Sequence, residues 1–428
     1  MCYYNMIKIN KNILQLEPSA TLAINQEVKK LRQQEEEVFH FGFGQSPFRI
    51  HRSITSALKE HATNNHYLPS TGLPELKKEI SKFLSTHQQL NFDSNSIFIG
   101  PGSKELLFQL IYLLDGVFLI PKGSWVSYVP QVKSKGAHYT IVNTKFVNNY
   151  KLTAEELENS CNKYLGIQKT VILNSPNNPT GAVYTHTELK ELSTICKKHN
   201  IIVLSDEIYS QINFAEECSP SIANYYPEKT IVFGGLSKVF SAGGYRFGFA
   251  AIPKTMHEIY KPLQSFFSET FSAVSAPVQF AAIGAYQLNA DLKNYITDCT
   301  QLLKVISQYV YQYLQGIEVR CTVPQGAFYM LVDFEMYRGK LLSLGIKNAE
   351  GLCTYLLANE KIALLPGQDF YFDNKSLTCR LAFVDFDGEK VYNAYKSGAT
   401  LNADFVENYT PTIYNGLKKI DIFLKKLS

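Results

Sequence analysis

Tryptophan occurs once and methionine five times in the 428 residues. No segment approaches the ~20 apolar residues that a membrane-spanning helix needs. The eight cysteines, at 2, 161, 196, 218, 299, 321, 353 and 379, form no Cys-x-x-Cys pair and no metal-ligand spacing with histidine. They read as reduced thiols of a cytoplasmic protein. No block of like charge stands out: 42 basic against 38 acidic residues leave a net +4, which argues against a dedicated nucleic-acid surface. The first eight residues lack the apolar core and small-residue cleavage site of a secretory signal. Internal repeats and low-complexity linkers are also missing. What is there is an ordinary globular composition, 45% hydrophobic, in a chain long enough for two cores.

Short β-rich runs at Val117–Ile120, Val171–Leu173, Ile201–Ser205, Ile231–Phe233 and Phe247–Ile252 are separated by helix-length segments such as Thr187–Asn200. Apolar strands alternating with amphipathic helices predict an α/β fold with a mostly parallel sheet covered by helices on both faces. Ligands of such sheets gather at the carboxyl ends of the strands. Past about residue 290 the pattern changes to a long helical stretch, the run Gly326–Asp333 and Ile362–Leu365 before a Pro-Gly pair. This reads as a smaller α+β domain. The polar stretch Asp385–Thr412 reads as a surface insertion.

The chemistry-bearing residues cluster after those strands. Lys238 lies in Gly-Gly-Leu-Ser-Lys-Val-Phe-Ser-Ala-Gly-Gly-Tyr-Arg-Phe-Gly, a lone lysine after an apolar run with Arg246 eight places later. Asp206 ends the run Ile-Ile-Val-Leu-Ser-Asp, where a buried carboxylate is costly unless a cation or strong donor faces it. Tyr209 follows three places on. Ser175-Pro-Asn-Asn-Pro-Thr-Gly181 is a tight turn, and Gly102-Ser103-Lys104 opens a helix whose free N–H groups can hold an anion. The lone Trp125, in Lys-Gly-Ser-Trp-Val-Ser-Tyr, offers a flat face for a planar heteroaromatic ring.

In this order the motifs resemble the fold-type I, class I/II aminotransferases of the aspartate aminotransferase superfamily, from about Ser19 to Arg380 and somewhat beyond. The resemblance implies pyridoxal 5′-phosphate (PLP) as cofactor, Lys238 as its Schiff-base amine, Asp206 as partner of the ring nitrogen, and Tyr209 with Asn178 on the ring's phenolic oxygen. It assigns the phosphate to Gly102, Ser103, Lys104, Ser237 and Arg246, and stacking to Trp125. Arg380, in Leu-Thr-Cys-Arg-Leu-Ala-Phe, would grip the substrate α-carboxylate, with Asn178 beside it and the Gly44 N–H of Phe-Gly-Phe-Gly-Gln-Ser-Pro as a second anchor. Tyr67, in Asn-His-Tyr-Leu-Pro-Ser-Thr-Gly, would reach a neighbouring subunit's phosphate, which implies a homodimer. The resemblance also implies a division into residues 1–50 packing with the small domain, 51–290 as the PLP-binding domain and 291–428 as the small domain. One position departs: relatives commonly carry a hydroxyl three places before the lysine, where this chain has Gly235.

The reading is an aminotransferase that moves an amino group between an α-amino acid and a 2-oxo acid. The same residues serve lyases, so a carbon–sulfur lyase or a cyclopropane-forming synthase is the alternative. A silent PLP-binding regulator is the remaining reading, with no helix-turn-helix appendage to support it. Phe41, Phe43, Phe48 and Tyr128 would suit an aromatic or bulky substrate.

Overall fold

The computed structural model describes residues 7–427. Its strands, in chain order, are β1 (Phe39–His40), β2 (Ile97–Gly100), β3 (Val117–Pro121), β4 (His138–Val142), β5 (Lys169–Asn174), β6 (Ile202–Asp206), β7 (Thr230–Gly235), β8 (Gly248–Ala251), β9 (Arg320–Cys321), β10 (Tyr329–Asp333), β11 (Ile362–Ala363), β12 (Leu365–Pro366) and β13 (Thr378–Ala382). Seven form the main sheet in the order β2-β8-β7-β6-β5-β3-β4. Pairing is parallel from β7 through β4, while β8 is antiparallel to both β7 and β2. Six strands therefore point one way and only β8 runs against them.

Alternate residues of a strand face opposite sides of its sheet. In β3, Val117 and Leu119 join a core with Leu157, Leu189 and Leu192. Phe118 and Ile120 join another with Leu106, Leu110 and Phe267. Helices cover both faces, which is why β5, β6 and β7 are buried along their whole length. The helix His186–Lys198 starts at a capping box, Thr185 and Glu188 satisfying each other's backbone N–H groups.

A second core surrounds the helix Ala290–Gly316 and the antiparallel sheet β12-β13-β10-β9. The N-terminal segment joins it: β1 pairs in parallel with β11, and Arg32 binds Asp385, whose carboxylate also accepts from the His40 N–H. The stretch 385–412 is not a surface insertion. It forms helices Gly388–Lys396 and Ala403–Tyr409, which bury Val391, Phe405 and Val406 against the second core. Many of its polar residues lie on the outward faces of those helices or cap them, as Asp387 and Asn402 do. Among the described residues no helix is long and apolar enough to cross a membrane.

Candidate active site

The topology brings the chemistry to one edge. Asn174 and Asp206 are the last residues of β5 and β6, Lys238 lies three residues past β7, and Trp125 four past β3. Because β8 runs backwards, its start is at the same edge, with Gly248 opposite both Gly100 and Gly235. Arg246, two residues earlier, is thereby set beside the turn after β2. A cavity of about 510 Å³ opens there, lined by Gly44, Ser103, Lys104, Trp125, Asn178, Asp206, Tyr209, Ser237, Lys238, Arg246 and Arg380 among others.

Asp206 is 4% exposed. Its Oδ2 accepts from the Tyr128 hydroxyl at 2.7 Å, whereas Oδ1 is buried with no partner. Burial raises the carboxyl to about 6, against the Tyr128 hydrogen bond and the nearby Ile208 N–H, which lower it. Lys238 Nζ donates to the Gly44 carbonyl at 2.8 Å and lies 5.6 Å from the Tyr209 ring centre and 5.5 Å from that of Phe328. Burial, then the Arg380 charge, lower its amine to about 8, with Asp206 opposing.

Arg380 is completely buried at the centre of β13. It donates to Asn178 Oδ1 at 3.1 Å and the Gly42 carbonyl at 2.5 Å, and its guanidinium lies 4.7 Å from the Tyr329 ring and 5.2 Å from that of Phe370. Its Nε has no partner. Tyr209 and Tyr329 share a hydroxyl contact of 2.9 Å. Gly44 meets the site through its carbonyl, which takes both Lys238 and, at 3.3 Å, Tyr329. A Cβ on Gly44 would fall 2.1 Å from the Tyr329 oxygen, so only glycine lets this loop come so close.

On the phosphate side, Gly102 caps the helix Ser103–Leu113 at φ +96°. A Cβ there would be 2.6 Å from Arg246 Nη2. Arg246 is held by the carbonyls of Gly243, at 3.0 Å, and Pro101, at 3.3 Å. Lys104 Nζ sits 5.0 Å from the Trp125 ring centre, its amine lowered by burial and by Arg246. At Gly235 a Cβ would fall 2.6 Å from the Phe247 carbonyl, so a hydroxyl residue does not fit there, while Ser237 does line the cavity.

The residues present fit PLP. An unpartnered buried carboxylate oxygen awaits a donor such as a ring N–H, and a helix start with an adjacent arginine leaves an open anion cradle. Tyr67 stands apart, 95% exposed and outside the cavity wall. Of the four aromatics expected near the substrate only Phe43 lines the cavity; Phe41 and Phe48 are core residues, and Tyr128 is spent on Asp206. Sequence reasoning missed Tyr329 and Asn174, the latter donating to the Asp206 carbonyl and accepting from the Asn178 N–H.

The chain belongs to the aminotransferase class I and II family, whose profile matches residues 36–394. It is 34% identical over 374 residues to the aspartate aminotransferase of Geobacillus stearothermophilus, covering 85% of this chain and 92% of the relative. To the aspartate aminotransferase of Bacillus subtilis (strain 168) it is 31% identical over 376 residues, again covering 85% and 92%. Its fold is that of the aspartate aminotransferase from Rhizobium meliloti, with a TM-score of 0.85 at 23% identity over 99% of this chain and 100% of that one. The Thermus thermophilus aspartate aminotransferase with maleate gives 0.83 at 22% identity over 97% and 99%. The protein is a PLP-dependent aminotransferase acting between α-amino acids and 2-oxo acids, and these relatives support transamination, not the lyase alternative.

Proposed function

We propose that this enzyme exchanges the amino group of a dicarboxylic amino acid, aspartate first, with a 2-oxo acid, in the cavity around Lys238. The observation that carries this is charge: the cavity is lined by Lys104, Lys238, Arg246 and Arg380 against one carboxylate, Asp206. A phosphate answers Arg246 and the helix start, and an α-carboxylate answers Arg380. Lys104 has no carboxylate partner among the described residues, which leaves it for an acid on the substrate side chain. The names of the relatives above support the same substrate class.

When bound, PLP supplies an aldehyde that condenses with amines and a ring that draws electrons from the substrate α-carbon. The residues do the rest. Lys238, with its amine lowered to about 8, is a base near neutral pH and moves the proton at the substrate α-carbon. Asp206 holds the proton on the ring nitrogen, through the oxygen that Tyr128 leaves free. Tyr209 and Asn178 hold the ring's phenolic oxygen, and Trp125 covers a ring face. Gly102, Ser103, Ser237 and Arg246 hold the phosphate, and Lys104, which the resemblance also gave to the phosphate, is turned to the side-chain acid of the substrate. Arg380, with Asn178 and the Gly44 N–H, holds the α-carboxylate and so aims the α-hydrogen at Lys238.

Residues 51–290 act as the PLP-binding domain, with the segment before residue 51 packed on 291–428 except for the helix Lys11–Leu14, which lies against Tyr128–Lys135; residues 1–6 of the expected division lie outside the described residues. The active form is a cytoplasmic homodimer in which Tyr67 reaches the phosphate of the other subunit. A panel of amino donors against 2-oxo acids, followed by oxo-acid product, tests the substrate reading. Aspartate or glutamate should lead in kcat/KM, and a lead by an aromatic or aliphatic donor would refute it.

A further inference from the structure

The helix Tyr128–Lys135 begins at Ser127 without a side-chain cap. The first N–H groups of a helix need acceptors from outside it. Here one acceptor comes from far along the chain. The Tyr371 hydroxyl accepts from the Val129 N–H at 3.1 Å and donates to the Trp125 carbonyl at 2.7 Å. Its neighbour Phe370 adds a third tie, its carbonyl accepting from the Gly123 N–H at 2.8 Å. Tyr371 stands at φ +71°, in the left-handed region, where a tyrosine is held only by its surroundings.

Two walls of the cavity hang from that hydroxyl. Trp125 faces the cavity itself. Tyr128, the first residue of the helix, packs edge-on to Trp125 at 5.4 Å and fixes Asp206 at 2.7 Å. One oxygen thus links the backbone of the aromatic wall to the start of the helix that orients the carboxylate. We propose that Tyr371 is a positioning residue for the cofactor-ring site: its hydroxyl sets the placement of Trp125 and, through Tyr128, the orientation of Asp206. This rests on the reading of Trp125 and Asp206 as ring-holding residues.

The test uses the full chain with Tyr371→Phe, which removes one oxygen and keeps the ring. Trp125 is the only tryptophan, so its fluorescence reports its own surroundings without a label. In the cofactor-free protein, Y371F should shift the Trp125 emission and raise its quenching by acrylamide about twofold. PLP affinity should fall about fivefold to tenfold, the loss of roughly one buried hydrogen bond. Tyr128→Phe cuts only the link to Asp206, and it should weaken PLP comparably while leaving the Trp125 emission in place. An unmoved emission in Y371F, or unchanged PLP affinity in either variant, overturns the proposal. Should Y371F be too unstable to purify, Tyr371→His, which keeps a ring but moves the polar atom off the Trp125 carbonyl, takes its place in both measurements with the same outcomes expected. Failure of the underlying reading has a separate sign: saturating PLP would then leave wild-type Trp125 fluorescence unquenched.

Discussion

Replacing Asp206 by Asn should stabilise the cofactor-free protein and disable the enzyme. The carboxyl stands at about 6 in the fold against 3.8 in the unfolded chain, because burial penalises its charge more than Tyr128 and the Ile208 N–H relieve it. A raised carboxyl is favoured by the fold in its protonated form. Wild-type stability is therefore fully present below the unfolded value, declines as pH rises through the interval to about 6, and stays low above it. The difference amounts to about 3 kcal/mol at pH 8. Asparagine carries no charge and escapes it, although seating its amide among buried groups takes back about 1 kcal/mol. Cofactor-free D206N should accordingly melt a few degrees above wild type at pH 8, about 2 kcal/mol to the good, and the gap should shrink by about 1–2 kcal/mol at pH 5. Turnover should move the other way. Loss of one partner of a buried pair costs about 3–5 kcal/mol, or roughly two to four decades in rate at saturating PLP. Thermal melts at both pH values, with steady-state assays alongside, measure the two arms. A stability gap that is absent or independent of pH refutes the burial argument, and near-normal turnover refutes Asp206 as partner of the ring nitrogen.

Borohydride reduction of the PLP-loaded enzyme should bleach its visible band and leave the cofactor on Lys238, and peptide mapping to another lysine would remove Lys238 from its role. Arg380→Lys keeps the charge but loses the two-point geometry of a fully buried guanidinium. It should cut kcat/KM for amino acids about a hundredfold while sparing amines without a carboxylate, and equal losses on both would show that the clamp lies elsewhere. Lys238→Ala and Tyr67→Ala, each poorly active, should regain activity when dissociated, mixed and reassociated, because one site of the hybrid then holds both residues intact. With hybrid formation checked by mass, activity no higher than the mean of the parents would mean a site built within one chain.

The five inner strands of the main sheet were legible because they are buried on both faces and read as continuous apolar runs, whereas the edge strands β2 and β4 were missed, β4 being partly exposed and mixed in composition; Lys238, Asp206 and Arg246 stood out because each lies within a few residues of a strand end. Contacts made across the chain were not legible. Tyr128 and Asp206 meet over 78 residues, and Tyr209 and Tyr329 over 120, so no local pattern announces either pair. Tyr128 looked like substrate-pocket material because an aromatic beside a motif has the same local signature whether it faces the cavity or a carboxylate. The stretch 385–412 misled through composition: taken with the caps and turns around its two short helices, it carries more polar than apolar residues. Gly235 appeared as a missing hydroxyl, whereas the approach of the Phe247 carbonyl leaves no room for any side chain there.

The pairing of β1 with β11 also sets an order of events during synthesis. Phe39 and His40 wait for Ile362 and Ala363, made about 320 residues later, which at about 5–20 residues per second is about 15–65 s. For most of that interval the loop Gly42–Gly44 lacks Tyr329 to rest on, and Arg380 is made only after β11. A nascent chain can thus complete the sheet and the anion cradle while its carboxylate clamp does not yet exist, and residues 39–44, made long before their partners, are among the last to find their place.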